Sequence, residues 1–179
     1  MTQDPGHDQN NDDKARSQAD AIEQGQLIEP DVALAPVSLN DLPDICRQAA
    51  ERAQWKDLMP VQARTIPYVL AGRDLMVQSR TGSGKTGAFI LPILARIDTS
   101  RKACQVLILV PTRELAVQVE SEAKMLAAGS DIGVVSVYGG VGYKPQIDAF
   151  QRGAQLVVGT PGRILDHLLR KTLTLSGLD

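Results

Sequence analysis

Gln78-Ser-Arg-Thr-Gly-Ser-Gly-Lys-Thr-Gly-Ala-Phe89 is the stretch whose reading decides the fold. A short apolar run, DLMVQS (74–79), leads into it, and KTGAFILPILARI (85–97), apolar nearly all round, follows. The glycines therefore stand between an expected strand and an expected buried helix. Glycine lets the backbone curl until successive N–H groups face an anion. Lys85 adds a point charge for the outer phosphates, Thr86 a hydroxyl for Mg²⁺, and the helix start its positive end. The spacing is that of GxxxxGK[ST], with the small Ser79 where the pattern asks for glycine. A glycine turn with no ligand is the alternative, and the strand–turn–helix setting weighs against it. Phosphoryl chemistry also asks for an acid to manage the metal. None lies within 78–89.

Outward from this loop, apolar runs alternate with helical spacing. QVLILV (105–110), IGVVSVY (132–138) and AQLVVG (154–159) read as strands. TRELAVQVESEAKMLAA (112–128), with Leu115, Val119, Ala123 and Leu126 on one face, reads as a helix, as do KPQIDAFQRG (144–153) and PGRILDHLLRK (161–171). Before the loop, LNDLPDICRQAAERA (39–53) and PVQARTIPYVLA (60–71) have helical spacing, with Asn40 or Asp41 as the expected cap of the first. Continuous apolar strands separated by helices predict a parallel sheet covered on both faces, an α/β fold. Ligands of such sheets gather at the carboxyl ends of the strands. The glycine turn, PTRELA (111–116), YGG (138–140) and TPGR (160–163) each follow a strand, so one edge is expected to carry all four.

Composition narrows the class. The 179 residues suit one domain of ordinary size. Residues 1–31 hold eight acids against Lys14 and Arg16, a net of −6, which leaves +4 for the rest of a chain whose total is −2. With almost no apolar residue before Ile22, segment 1–36 is expected to be a disordered acidic leader, and 37–179 the folded domain. The polar N-terminus is no signal peptide or anchor, and no apolar stretch approaches a membrane span. Cys46 and Cys104 form neither a disulfide framework nor a zinc pattern, so a cytoplasmic protein is expected. His7 and His167 are isolated and receive no role.

PTRELA and TPGR repeat one device. Thr112 and Thr160 stand as helix caps, Pro161 takes a first helical position, and Arg113 and Arg163 reach outward. Two helix starts on one edge, each with an arginine, would suit two phosphates of a nucleic-acid strand, and Gly139 and Gly140 would permit close approach. Each taken alone is as readily plain capping. Their company with a phosphate loop favours binding.

With these motifs in this order, the chain resembles the DEAD-box ATP-dependent RNA helicases from about Val37 onward: WKDLMPVQ (55–62), SRTGSGKT (79–86), PTRELA, YGG, TPGR. The resemblance implies a RecA-like P-loop domain, with ATP and Mg as cofactors and single-stranded or duplex RNA as partner. It implies that Trp55 and Gln62 read adenine, and that Arg80, Thr81, Gly82, Ser83, Gly84, Lys85 and Thr86 hold phosphates, with Lys85 and Thr86 serving catalysis and Thr86 the metal. It assigns Pro111, Thr112, Arg113, Gly139, Gly140, Thr160, Pro161, Gly162 and Arg163 to RNA. Leu58 and Met59 stand before Pro60 where the family often has Pro-Thr-Pro, and Leu39 replaces an upstream aromatic, which points to less selective adenine binding. After TPGRILDHLLRKTLTLSGLD the family continues into an Asp-Glu-Ala-Asp strand, a Ser-Ala-Thr motif and a second domain. The sheet is therefore expected to be incomplete at its C-terminal side, the 74–79 strand to keep an unpaired edge or be forced against a neighbour it does not normally meet, and the chain to bind nucleotide without turning it over. A truncated, non-catalytic nucleotide- or RNA-binding relative is the alternative. A small P-loop kinase would not predict PTRELA or TPGR.

Overall fold

Prolines shape the beginning of the fold. The computed structural model describes residues 33–178, almost all within the second of the two units into which the chain divides, Ala35–Asp179. The expected leader, 1–36, lies outside the described residues except for its last four. Residues 39–53 do not form one helix. Pro43 drives Leu42 to extended backbone (φ −84°, ψ 153°), so a 3-10 turn, Leu39–Asp41, ends before helix α1, Asp44–Arg52, begins. Neither Asn40 nor Asp41 caps α1, contrary to the sequence expectation, because Pro43 occupies the capping position. Asp41 instead closes the 3-10 turn, its Oδ2 accepting from Ser38 N at 2.8 Å and Ser38 Oγ at 2.7 Å.

Helix α2, Pro60–Leu70, opens on a proline whose missing N–H would have been unpaired there in any case. Pro67, inside α2, leaves the Ala63 carbonyl without its helical donor. The Val37 N–H supplies one at 3.0 Å, which ties the entering chain to the helix. In helix α3, Lys85–Leu94, Pro92 has the same position near the end, and the buried Cys46 thiol donates to the Leu91 carbonyl at 3.1 Å. Burial pushes that thiol up to about 11, so it stays protonated and able to donate. Helices α2 and α3 pack along one another.

Three strands form the sheet: β1, Val106–Leu109; β2, Val134–Val137; and β3, Leu156–Gly159. Their order is β1-β3-β2, all parallel, with Val106 and Val134 both in register with Leu156, and Leu109 and Val137 with Gly159. Helix α4, Arg113–Ala127, follows β1; α5, Lys144–Gln151, follows β2; and α6, Pro161–Leu169, follows β3. The two-residue alternation of strands divides the core. Val106, Ile108, Val134, Leu156 and Val158 face α1, α3 and α4, packing on Cys46, Leu91, Val119 and Ala123. Leu107, Val135, Val137 and Val157 face the opposite side, against Ala149 of α5 and Ile164 of α6. β3 is buried along its whole length, as its continuous apolar run predicts. Glu120 of α4 covers the outer edge of β2, its carboxylate accepting from Ser136 N at 3.0 Å and Ser136 Oγ at 2.7 Å. An edge strand with its polar backbone satisfied is a poor template for stray pairing.

One expected strand is not formed. Residues 73–80 have no regular structure, and Met76 is 95 % exposed. β-conformation is held by pairing to neighbours, and the outermost strand on this side, β1, does not pair with the segment. The strand expected at 74–79, with an unpaired edge or a foreign neighbour, is not formed at all.

Candidate functional site

The glycine turn at 79–86 has a defined shape although no strand precedes it. Gly82 (φ 77°) and Gly84 (φ 87°) adopt the left-handed backbone that side chains resist. A Cβ on Gly84 would lie 2.6 Å from Met59 Sδ and 2.7 Å from Gln62 Nε2. Ser79, in the place of the first glycine of the pattern, donates its hydroxyl to Ser83 Oγ at 2.7 Å and so closes the turn across its mouth. Lys85 bends back on the same turn, donating from Nζ to the Ser79 carbonyl (2.5 Å) and the Arg80 carbonyl (2.7 Å). The ammonium is thus already held where the loop converges. Arg80, Thr81 and Gly82 are exposed, while Ser83, Gly84 and Thr86 are half-buried.

Beneath the turn sit the two residues assigned to adenine. Gln62 is buried, its Oε1 accepting from Met59 N at 2.9 Å and its Nε2 donating to the Gly84 carbonyl at 3.2 Å. Both ends of its amide are engaged, one capping α2 and one gripping the turn. Trp55 lies against Gly87, where a Cβ would stand 2.5 Å from the indole ring. Trp55, Met59, Gln62, Gly84 and Gly87 therefore form one packed unit. Met59, a departure from the family pattern, is part of that unit and contacts the loop directly.

An acid does stand beside the loop. Glu122, on α4, is half-buried near the Thr86 hydroxyl; burial raises its pKa, and the nearby hydroxyl works the other way. Sequence gave no cue to it, because the contact spans two helices and 36 positions. No group of three or more His, Cys, Asp or Glu side chains able to hold a metal occurs among the described residues.

The other motifs gather at the carboxyl ends of β1, β2 and β3. Thr112 caps α4 as expected, Oγ1 accepting from Leu115 N at 3.2 Å. Glu114 pairs with Arg113 Nε at 3.2 Å, and this bond with its own backbone N–H holds the Glu114 carboxyl below its usual range. The Arg113 guanidinium reaches Gly140, where a Cβ would come within 3.5 Å of Nη1. The loops after β1 and β2 thus come close to one another at Arg113 and Gly140. Pro111, Thr112, Arg113, Gly139, Gly140, Pro161 and Gly162 are exposed together.

Two expectations fail at α6. Thr160 stands at the capping position, but its side chain makes no cap bond; its N–H donates instead to the Val137 carbonyl at 2.9 Å. Arg163 does not reach outward. Its guanidinium lies over the Tyr143 ring, 4.1 Å from the centroid, and Nη2 donates to the Val141 carbonyl at 2.9 Å. Aromatic contact and a carbonyl acceptor outweigh hydration here, so the arginine folds onto the glycine loop.

A family model described as DEAD/DEAH box helicase matches residues 59–179. Over 138 residues the chain is 41% identical to the DEAD-box ATP-dependent RNA helicase CshA of Bacillus cereus, covering 77% of this chain and 26% of the relative. Over 147 residues it is 46% identical to the ATP-dependent RNA helicase DeaD of Haemophilus influenzae, covering 79% of this chain and 24% of that one. The chain thus spans about a quarter of the length of the curated relatives it matches. Among solved structures, a DEAD box protein from the hyperthermophile Methanococcus jannaschii superposes with a TM-score of 0.73 at 36% identity, over 83% of this chain and 40% of that one. A hypothetical ATP-dependent RNA helicase from Sulfolobus tokodaii gives 0.67 at 38% identity, over 76% and 39%.

Proposed function

The chain belongs to the DEAD/DEAH box helicase family, and from that premise we propose that it holds ATP at Ser79–Thr86 and an RNA strand along the exposed ends of β1, β3 and β2. The activity this binding serves is the one named for the relatives, ATP-dependent RNA helicase action. One observation carries the RNA part: three parallel strands deliver PTRELA, YGG and TPGR to a single edge, where Arg113 reaches across to Gly140. Exposed backbone N–H groups, two helix starts and a guanidinium suit phosphates and carry no base information.

For ATP, the supporting feature is the turn itself. Two left-handed glycines and Lys85 give a concave, positively charged seat, and Trp55 and Gln62 lie directly beneath it. The residues also fit a magnesium ion carried with the nucleotide. Thr86 would hold it through its hydroxyl oxygen, a hard donor suited to that cation. The ion would supply neutralising charge between phosphate oxygens.

A second reading, a module that retains nucleotide or RNA without turnover, is supported by the same Glu122. Among the described residues, Glu122 is not joined by two further His, Cys, Asp or Glu side chains that could complete a metal site. RNA-stimulated phosphate release from ATP separates the two readings. RNA binding is tested by anisotropy of a labelled single strand over a range of salt. Replacing Arg113 with Ala is expected to weaken binding about equally across sequences and to flatten the log–log salt dependence by roughly one unit. An unchanged slope and affinity would remove Arg113 from the interface.

A further inference from the structure

The inner side of the glycine loop is held by residues that no motif contains. Gln146, on α5, is buried. Its Nε2 donates to the Tyr138 carbonyl at 3.2 Å, the last carbonyl before Gly139 and Gly140. Its Oε1 lies 2.8 Å from His167 Nε2, on α6. An amide oxygen can only accept, so that ring nitrogen carries the proton. His167 Nδ1 lies 2.8 Å from Thr172 Oγ1, whose hydroxyl also reaches the His167 carbonyl at 3.2 Å. The imidazole is fully buried, wedged edge-on between Tyr143 (5.4 Å) and Phe150 (5.1 Å).

The outer side of the loop is held through Tyr143. Its hydroxyl donates to Asp166 Oδ2 at 2.6 Å, which pins the ring to α6. Arg163 and Arg170 lie over that ring, 4.1 Å and 4.3 Å from its centroid. Arg163 in turn grips the Val141 carbonyl, and its Nη1 is buried with no hydrogen-bond partner. Carbonyls on both sides of the exposed glycines, Tyr138 before and Val141 after, are therefore anchored to α5 and α6. Between these anchors, a Cβ on Gly139 would meet nothing within 4 Å and one on Gly140 only the Arg113 guanidinium, so little side-chain packing fixes that stretch.

The geometry points to Gln146 and Tyr143 as positioning residues that hold the glycine loop, residues 138–142, and Arg163 in the arrangement an RNA backbone meets. The purpose rests on the RNA reading above; the positioning itself does not. Gln146 sets the loop from within through His167. Tyr143 sets Arg163, whose free Nη1 is the one buried side-chain donor among the described residues that lacks a partner.

The experiment uses the 179-residue chain with Gln146→Leu, which keeps the shape and removes both bonds, and with Tyr143→Leu, a half-buried site whose replacement spares the core. Amide hydrogen exchange at Gly139–Gly142, binding of a labelled oligouridine strand and binding of a fluorescent ATP analogue are measured on each. Faster exchange confined to the loop is expected in both variants, with RNA affinity reduced roughly five- to tenfold and ATP affinity unchanged. Should Gln146→Leu fail to fold, Tyr143→Leu decides by the same readings. Unchanged loop exchange would overturn the positioning role. Faster exchange with undiminished RNA affinity would overturn its purpose. Failure of the unmutated chain to bind RNA would overturn the RNA reading instead, and loop exchange would then still decide the positioning.

Discussion

The ends of β1, β3 and β2 and the segment that enters the phosphate loop use one local design, apolar residues followed by a turn and a helix, yet they are supported in opposite ways. β3 is buried on both faces, paired on both edges, and carries its following motif on a sheet. Residues 74–79 are equally apolar at Leu75, Met76 and Val77, and they pair with nothing in the sheet. The phosphate turn nevertheless holds its form, because α3 is anchored in the core and Gln62, Met59 and Trp55 clasp Gly84 and Gly87 from below. The glycine turn, the proposed nucleotide seat, is thus organised from its helix side, whereas the edge proposed to face RNA is organised by its sheet.

The comparison breaks most visibly in the core. Leu156→Ala removes a fully buried side chain from the central strand and is expected to cost about 2–5 kcal/mol. Met76→Ser, at a residue 95 % exposed, should fall within about 0.5 kcal/mol of the parent. Urea unfolding measures both, and a comparable cost at Met76 would mean the segment is packed after all.

Within the RNA-facing edge, the two arginine-bearing helices can be set against each other. Thr112→Ala deletes an observed cap bond and should lower stability by about 1 kcal/mol. Thr160→Ala deletes no cap bond and should cost only a few tenths. Equal losses in thermal melts would show that the Thr160 hydroxyl caps α6 in solution.

The smallest expected effect is a pH dependence. Burial first, then the charges of Arg163 and Arg170 against the opposing Asp166, lowers the pKa of His167 from 6.5. The unfolded chain then binds a proton that the folded chain refuses. This part of the stability is complete above about pH 6.5 and is lost as pH falls below it, until the lowered pKa is passed. A gentler decline of melting temperature in His167→Gln over that range is expected. Parallel curves would assign the decline to other groups.

Local pattern made much of this legible from sequence. The three paired strands, the helices after them, the Thr112 cap and the glycine turn all follow from periodicity and short motifs, since each depends on neighbours in the chain. What escaped depends on distant partners. Residues 74–79 have the composition of a strand, but pairing is decided by what lies alongside. Arg163 was expected in solvent because nothing in TPGR reveals Tyr143, and Glu122 meets Thr86 only because α3 and α4 pack together. Asn40 and Asp41 failed as caps for a reason the sequence did contain, the proline at 43.

The claim on which the rest depends is that residues 79–86 seat a nucleotide without a preceding strand. Titration of a fluorescent ATP analogue into the unmutated chain and into Lys85→Ala tests it, because the substitution removes the charge that the Ser79 and Arg80 carbonyls already hold in place. Saturable binding by the unmutated chain, lost in Lys85→Ala with the melting temperature little changed, is the expected result. Equal affinity in the two proteins, or no saturation in either, would contradict it.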